Sequence, residues 1–135
     1  MQSKSLGKRG YCLDTHSLVW YFTGSKTLSA RALAILEEVF LRKAIGVIPS
    51  IVLLEALHVS YKHKGFVFPK FLDSLRLPNI LIYPLDKEVL SEGFTLPEVL
   101  DIHDRVVVAT TLVSDTKLVT KDEIITGSGV VDTVW

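Results

Sequence analysis

Short apolar runs recur along this chain, each halted near an acid or a proline and each followed by a stretch with helical periodicity. Tyr11-Cys12-Leu13 ends at Asp14, Gly46-Val47-Ile48 at Pro49, Ile80-Leu81-Ile82-Tyr83 at Pro84, and Lys117-Leu118-Val119-Thr120 just ahead of Asp122. Val130 to Trp135 is a fifth candidate strand. Strands that alternate with helices cannot be joined by tight hairpins. They pair through crossovers into a mostly parallel sheet with helices on both faces. The expectation is therefore an α/β fold with a central parallel sheet of four or five strands. Such crossovers bring the carboxyl ends of the strands to one edge, where ligands usually bind.

The intervening helices carry their own signals. His16 to Phe22 reads as a short helix, and Ser29 is a suitable N-cap for one running to about Lys43, with Leu33, Leu36 and Phe40 at helical spacing. Ser50 is expected to cap a helix over Ile51 to Lys62, Pro69 to open another, and Asp86 to cap Lys87 to Gly93. Residues 104–114 are ambiguous. The run Val106-Val107-Val108-Ala109-Thr110-Thr111 is β-branched and favours a strand by propensity. Its length, its place before another strand and the acid at its head favour a buried helix, which is the reading adopted.

A chain of 135 residues suits one domain, and 48% hydrophobic with 22% charged residues is enough to fill a core. Residues 1–10 are polar and basic without the apolar centre of a signal peptide, so they read as a flexible tail ahead of a single domain over 11–135. No apolar run is long enough to cross a bilayer. The single cysteine, Cys12, excludes an internal disulfide and a thiol-based zinc site, and suits a reducing cytoplasm. The net charge of zero speaks against a protein that coats nucleic acid, although an enzyme needs only a local positive rim.

Four acids stand where core residues belong. Asp14 and Asp122 follow strands, Asp104 precedes an almost wholly apolar helix, and Glu55 interrupts Ile51-Val52-Leu53-Leu54 and Ala56-Leu57. Each structural alternative is simple: Asp14 and Asp122 as turn residues, Asp104 as a helix N-cap, Glu55 on an exposed stripe with Lys62. Together they occupy equivalent places in an alternating fold and can converge on one sheet edge. Clustered carboxylates repel one another, and a divalent cation that prefers oxygen, such as Mg2+ or Mn2+, relieves that conflict.

The motifs around these acids are similar to those of one family. Tyr11-Cys12-Leu13-Asp14-Thr15-His16 resembles the opening of PIN domains, especially the VapC-type toxin ribonucleases. Pro49 to Ala56 resembles their second motif, Asp101-Ile102-His103-Asp104-Arg105-Val106-Val107-Val108-Ala109-Thr110 their third, and Leu118-Val119-Thr120-Lys121-Asp122-Glu123 their last. The likeness runs from about residue 11 to the end. It departs at Ile102-His103, which replaces a proline-containing step, and in the longer tail before Tyr11.

The resemblance implies a PIN-like fold and a metal set of Asp14, Glu55, Asp104 and Asp122, with Asp101 as a fifth ligand and Thr15 or Thr120 in support. It further implies Mg2+- or Mn2+-dependent endoribonuclease chemistry leaving a 5′-phosphate and a 3′-hydroxyl, an RNA substrate, a cognate antitoxin in the groove, and a homodimer. Two rivals stand beside it: a PIN nuclease of RNA processing without an antitoxin, and an acidic-pocket phosphotransfer domain that accepts phosphate on Asp14. A non-catalytic scaffold is disfavoured by the complete acidic set. Among the remaining residues, His103, beside Asp104, is the best candidate to support the ligand set from outside it, and His58 one turn from Glu55 reads as a plain helix-face residue. Arg105 suits an orienting contact to Asp101, a phosphate contact or a structural salt bridge. Lys62-His63-Lys64 reads as a solvated helix end, and Trp20-Tyr21-Phe22 as core or a partner surface.

Overall fold

The computed structural model describes residues 10–135. The tail expected over 1–10 lies outside the described residues except for Gly10, which already belongs to the first strand. Among the described residues there are five strands: β1 (Gly10–Leu13), β2 (Ile45–Pro49), β3 (Ile80–Tyr83), β4 (Lys117–Val119) and β5 (Thr133–Val134). They alternate with seven helices: α1 (Thr15–Thr23), α2 (Ala30–Phe40), α3 (Ser50–Ser60), α4 (Phe68–Ser74), α5 (Lys87–Phe94), α6 (Ile102–Ser114) and α7 (Glu123–Ser128). The sheet is wholly parallel in the order β3-β2-β1-β4-β5.

The strand chemistry suits a sheet of this kind. Leu13, Val47, Ile48, Leu118 and Val119 are buried, as strands covered on both faces must be. The chain runs outward from β1 to β2 and β3, then returns through α5 and α6 to β4 on the other side of β1. The reversal lies between β1 and β4, and a crevice opens at such a switch point beyond the carboxyl ends of the strands. Asp14 follows β1 directly and Asp122 lies three residues beyond β4. Close packing of α2 on β2 depends on Gly46, where an added Cβ would stand 2.8 Å from Val39 Cγ1.

Residues 104–114 are helical, within α6, and bury Val106 to Thr111 as well as Ser114. The buried hydroxyls there are satisfied inside the helix: Thr110 donates to the Val106 carbonyl at 2.8 Å, Thr111 to Val107 at 2.9 Å and Ser114 to Thr110 at 2.8 Å. Ser29 and Asp86 are N-caps, accepting from Ala32 and Val89 backbone N–H groups. Other local expectations need correction. Ser50 is the first helical residue of α3 rather than its cap, because Pro49 occupies the cap position and offers no acceptor side chain. Leu33 faces outward, and α2 packs through Ile35, Leu36 and Val39 instead. Asp104 does not precede α6 but is its third residue, and Asp101 is the cap.

Candidate active site

Three of the five candidate acids are fixed by the helices they start. Asp14 accepts the Ser17 N–H at 2.9 Å, Asp101 the Asp104 N–H at 2.8 Å and Asp122 the Ile125 N–H at 2.9 Å. Capping and clustering are therefore compatible: one oxygen answers an orphan backbone donor and holds the carboxylate at the head of its helix. Glu55 sits in the second turn of α3 and is held by side chains from other elements. Thr15 Oγ1 donates to its Oε1 at 2.6 Å, and His103 Nδ1 lies 2.7 Å from its Oε2.

Asp14, Glu55, Asp104 and Asp122 all line one cavity of about 1080 Å3. Asp101 does not line it; it stands exposed beside the rim. Glu123, which sequence reasoning passed over, does line it, and its only signal was its place next to Asp122. Burial pushes the Asp104 carboxyl up to about 6, reinforced by the negative charges of Asp101, Asp122, Glu55 and Asp14. Asp14 is raised as well, mainly by burial, against the lowering effect of hydrogen bonds from Ser17 and Thr120 and of nearby His16. Lys121 is the only Lys or Arg among the described lining residues, and its Nζ lies 6.0 Å over the Trp20 ring.

The basin has an apolar wall. Leu54, Tyr61 and Ile124 line the cavity while remaining 63%, 77% and 53% exposed, and Trp20 joins them. The aromatic run at Trp20 thereby divides. Tyr21 stacks on Phe40 at 5.1 Å, and Phe22 packs edge-on against Phe40 and Phe71, whereas Trp20 meets His16 and the edge of Trp135. Only Trp20 of the three lines the cavity.

Some supporting residues differ from expectation. His103, expected as a support of the ligand set, meets Glu55. Arg105 makes no ion pair with Asp101. Its guanidinium donates to the carbonyls of Gly93, Leu96, Pro97 and Leu100 at 2.7–3.0 Å and ties the α5–α6 segment together. Ser17 was missed: its buried hydroxyl donates to the Val119 carbonyl at 3.1 Å and fixes α1 against β4.

Among the described residues, no three or more His, Cys, Asp or Glu side chains stand close enough together to hold a metal ion by themselves. The donor set still fits a hard divalent cation. Every acid offers oxygen, and the Asp104 pKa, raised first by burial and then by four neighbouring carboxylates, belongs to a group that a cation would relieve. Mg2+ retains several waters and takes as few as one or two carboxylates, so an open basin suits it better than a cage would.

Comparison with known proteins agrees with this architecture. No curated protein matches the sequence. A chain of the VapBC2 complex from Rickettsia felis, bound to a DNA fragment from its promoter, superposes with a TM-score of 0.67 at 17% identity, covering 93% of this chain and 97% of that one. A chain of a toxin–antitoxin complex from Klebsiella pneumoniae gives 0.67 at 17% identity, with 93% and 96% covered. FitAcB from Neisseria gonorrhoeae gives 0.58 at 18% identity, also with 93% and 96% covered. At these identities the likeness speaks for the fold. The sequence itself matches the PIN domain over residues 11–126, and the chain belongs to the PIN domain family.

Proposed function

We propose that this chain is a divalent-metal-dependent endoribonuclease of the VapC type, the toxin of a toxin–antitoxin pair. The observation that carries the reading is the convergence of Asp14, Glu55, Asp104 and Asp122 on one cavity at the β1–β4 switch point. A resident Mg2+ or Mn2+ ion would supply an activated water and charge neutralisation at the scissile phosphate. Asp14, Glu55 and Asp122 are the residues to hold it, with Thr15 and Thr120 hydroxyls steadying Glu55 and Asp14. Asp104, with its pKa near the working range, is suited to orient the attacking water and take up its proton. Asp101 acts at one remove, by capping α6 and placing Asp104. Lys121 offers the positive contact to an RNA phosphate.

The exposed apolar wall supports a protein partner that covers the cavity when the enzyme is held inactive. We assign that place to the antitoxin, in keeping with the toxin–antitoxin complexes among structures of the same fold. Leu90 and Phe94, 52% and 88% exposed one turn apart on α5, supply surface for the homodimer. Among the described residues no helix is long and apolar enough to cross a membrane. Buried Cys12, its thiol pushed up to about 12, is inert and suits a cytoplasmic protein.

The test is cleavage of a panel of cellular RNAs. Wild-type protein should cut with Mg2+ or Mn2+, stop with EDTA and resume when manganese is restored. Activity that persists through EDTA and through Asp14→Asn overturns the assignment.

A further inference from the structure

Unlike Asp14, Asp101 and Asp122, Glu55 caps no helix, so no backbone donor of a helix start holds it. Two side chains do so instead. Thr15 Oγ1 reaches Oε1 at 2.6 Å from α1, and His103 Nδ1 reaches Oε2 at 2.7 Å from α6. An ionised carboxylate only accepts hydrogen bonds, so Nδ1 carries the hydrogen and donates it. The Glu55 side chain is 28% exposed and that of His103 is 55% exposed, so water competes for both. Glu55 also feels Asp104, since the two negative charges repel. A long glutamate at a wet rim, pushed by a neighbouring carboxylate, disperses over rotamers unless something fixes it.

His103 is placed to do this by the step that departs from the family pattern. With Ile102-His103 in place of a proline-containing step, α6 begins at Ile102 under the Asp101 cap, and His103 falls in its first turn facing α3. We propose that His103 is a positioning residue that holds Glu55 ready to bind the divalent cation, and this rests on the metal-site reading above. Each hydrogen bond uses one lone pair of its oxygen and leaves another for a cation. Hydrogen bonds from outside the ligand shell orient ligands and raise affinity without touching the ion.

The test uses the full chain, Mn2+ alone and no RNA, with affinity read by calorimetry or by the electron paramagnetic resonance of free manganese. His103→Phe keeps a ring but cannot donate, whereas His103→Asn returns an N–H close to the place of Nδ1. His103→Phe should bind manganese about tenfold more weakly and His103→Asn within about threefold of wild type, in the range seen when such supports are removed. Thermal melting without metal should show all variants folded; should His103→Phe fail to fold, His103→Ala takes its place. Wild-type affinity in His103→Phe, or equal weakening in Phe and Asn variants, overturns the proposal. So does wild-type protein that binds no manganese. Wild-type protein that binds manganese but cuts no RNA defeats the nuclease reading alone, and the His103 comparison still stands.

Discussion

Asp104 and Arg105 are adjacent in the first turns of α6, yet they serve regions built on opposite terms. Around Arg105 the α5–α6 joint is complete: its guanidinium meets the carbonyls of Gly93, Leu96, Pro97 and Leu100. Around Asp104 the charges are opposed rather than answered: burial first, and then four other acids, push its carboxyl toward the neutral form. Satisfied polar groups mark a region that has only to hold. Unrelieved like charges, kept in a cavity at the switch point of the sheet, mark one that awaits a ligand.

The largest effect expected from breaking this contrast is on catalysis. Asp14→Asn, Glu55→Gln, Asp104→Asn and Asp122→Asn should each lower single-turnover RNA cleavage by about a hundredfold or more. Combinations should lose little beyond the first, because such groups act as a unit. Asp101→Asn should be milder, since that residue caps α6 and does not line the cavity. Asp73, exposed beside Arg76, and Asp86, the α5 cap, are controls whose replacement should leave cleavage unchanged. Near wild-type cleavage in the basin variants would remove the basin as the reaction centre.

The joint should break in the other currency, stability. Arg105→Ala strips a charged donor from four carbonyls and should cost about 2–4 kcal/mol in urea unfolding, the scale of charged hydrogen bonds lost from partly buried sites. Manganese should still stabilise the variant. An unchanged unfolding midpoint would mean that water replaces the guanidinium and that the joint is not what fixes this segment.

Metal should reverse the strain in the basin. A cation that binds only the folded state stabilises it by mass action, about 2.7 kcal/mol at a hundredfold excess over Kd. Manganese should therefore raise the wild-type Tm. Asp14→Asn should shrink that rise while raising the metal-free Tm, because one repelling charge is gone. Identical Tm values for both proteins with and without metal would contradict the picture of opposed charges.

The smallest effect is the pH dependence of the metal-free protein. Asp104 has its folded pKa raised from 3.8 to about 6. Between those values the folded state keeps a proton that the unfolded state has released. Its contribution to stability therefore falls as pH rises through that window and levels off above it. Asp104→Asn resembles the protonated acid. Across a scan from about pH 4 to about pH 8, its stability relative to wild type should grow up to about pH 6 and level off above that. A constant difference across the scan would show that Asp104 is not strained in the folded state. In the metal-bound state, proton competition should weaken manganese binding below about pH 6.

Local chemistry carried much of this architecture. The run Ile80 to Tyr83 is a strand with the expected ends, because proline and a flanking turn bound it. Ser29 and Asp86 cap because their side chains reach backbone N–H groups only three residues away. The β-branched run in α6 is helical against its propensity, since the chain needs a crossover between β3 and β4 and its buried face rewards apolar side chains of any shape. Where expectation failed, a competing contact won. Ser50 lost the cap position to Pro49, and Arg105 bound carbonyls from the α5–α6 connection that no local pattern announces. Tyr21 and Phe22 joined Phe40 and Phe71, while Trp20 turned to the cavity against His16 and Trp135.

The sequence by itself determined which acids end strands or head helices, because capping and strand termination act over a few residues. Only the tertiary structure decided that they meet. The order β3-β2-β1-β4-β5 sets β1 beside β4 and so brings Asp14 and Asp122 to one cavity, although 108 positions separate them in the numbering. It also carries His103 to Glu55 across 48 residues and Thr15 to the same carboxylate across 40. Such contacts depend on how whole helices pack against the sheet. That packing is fixed by burial summed over the entire core, and no local spacing records it.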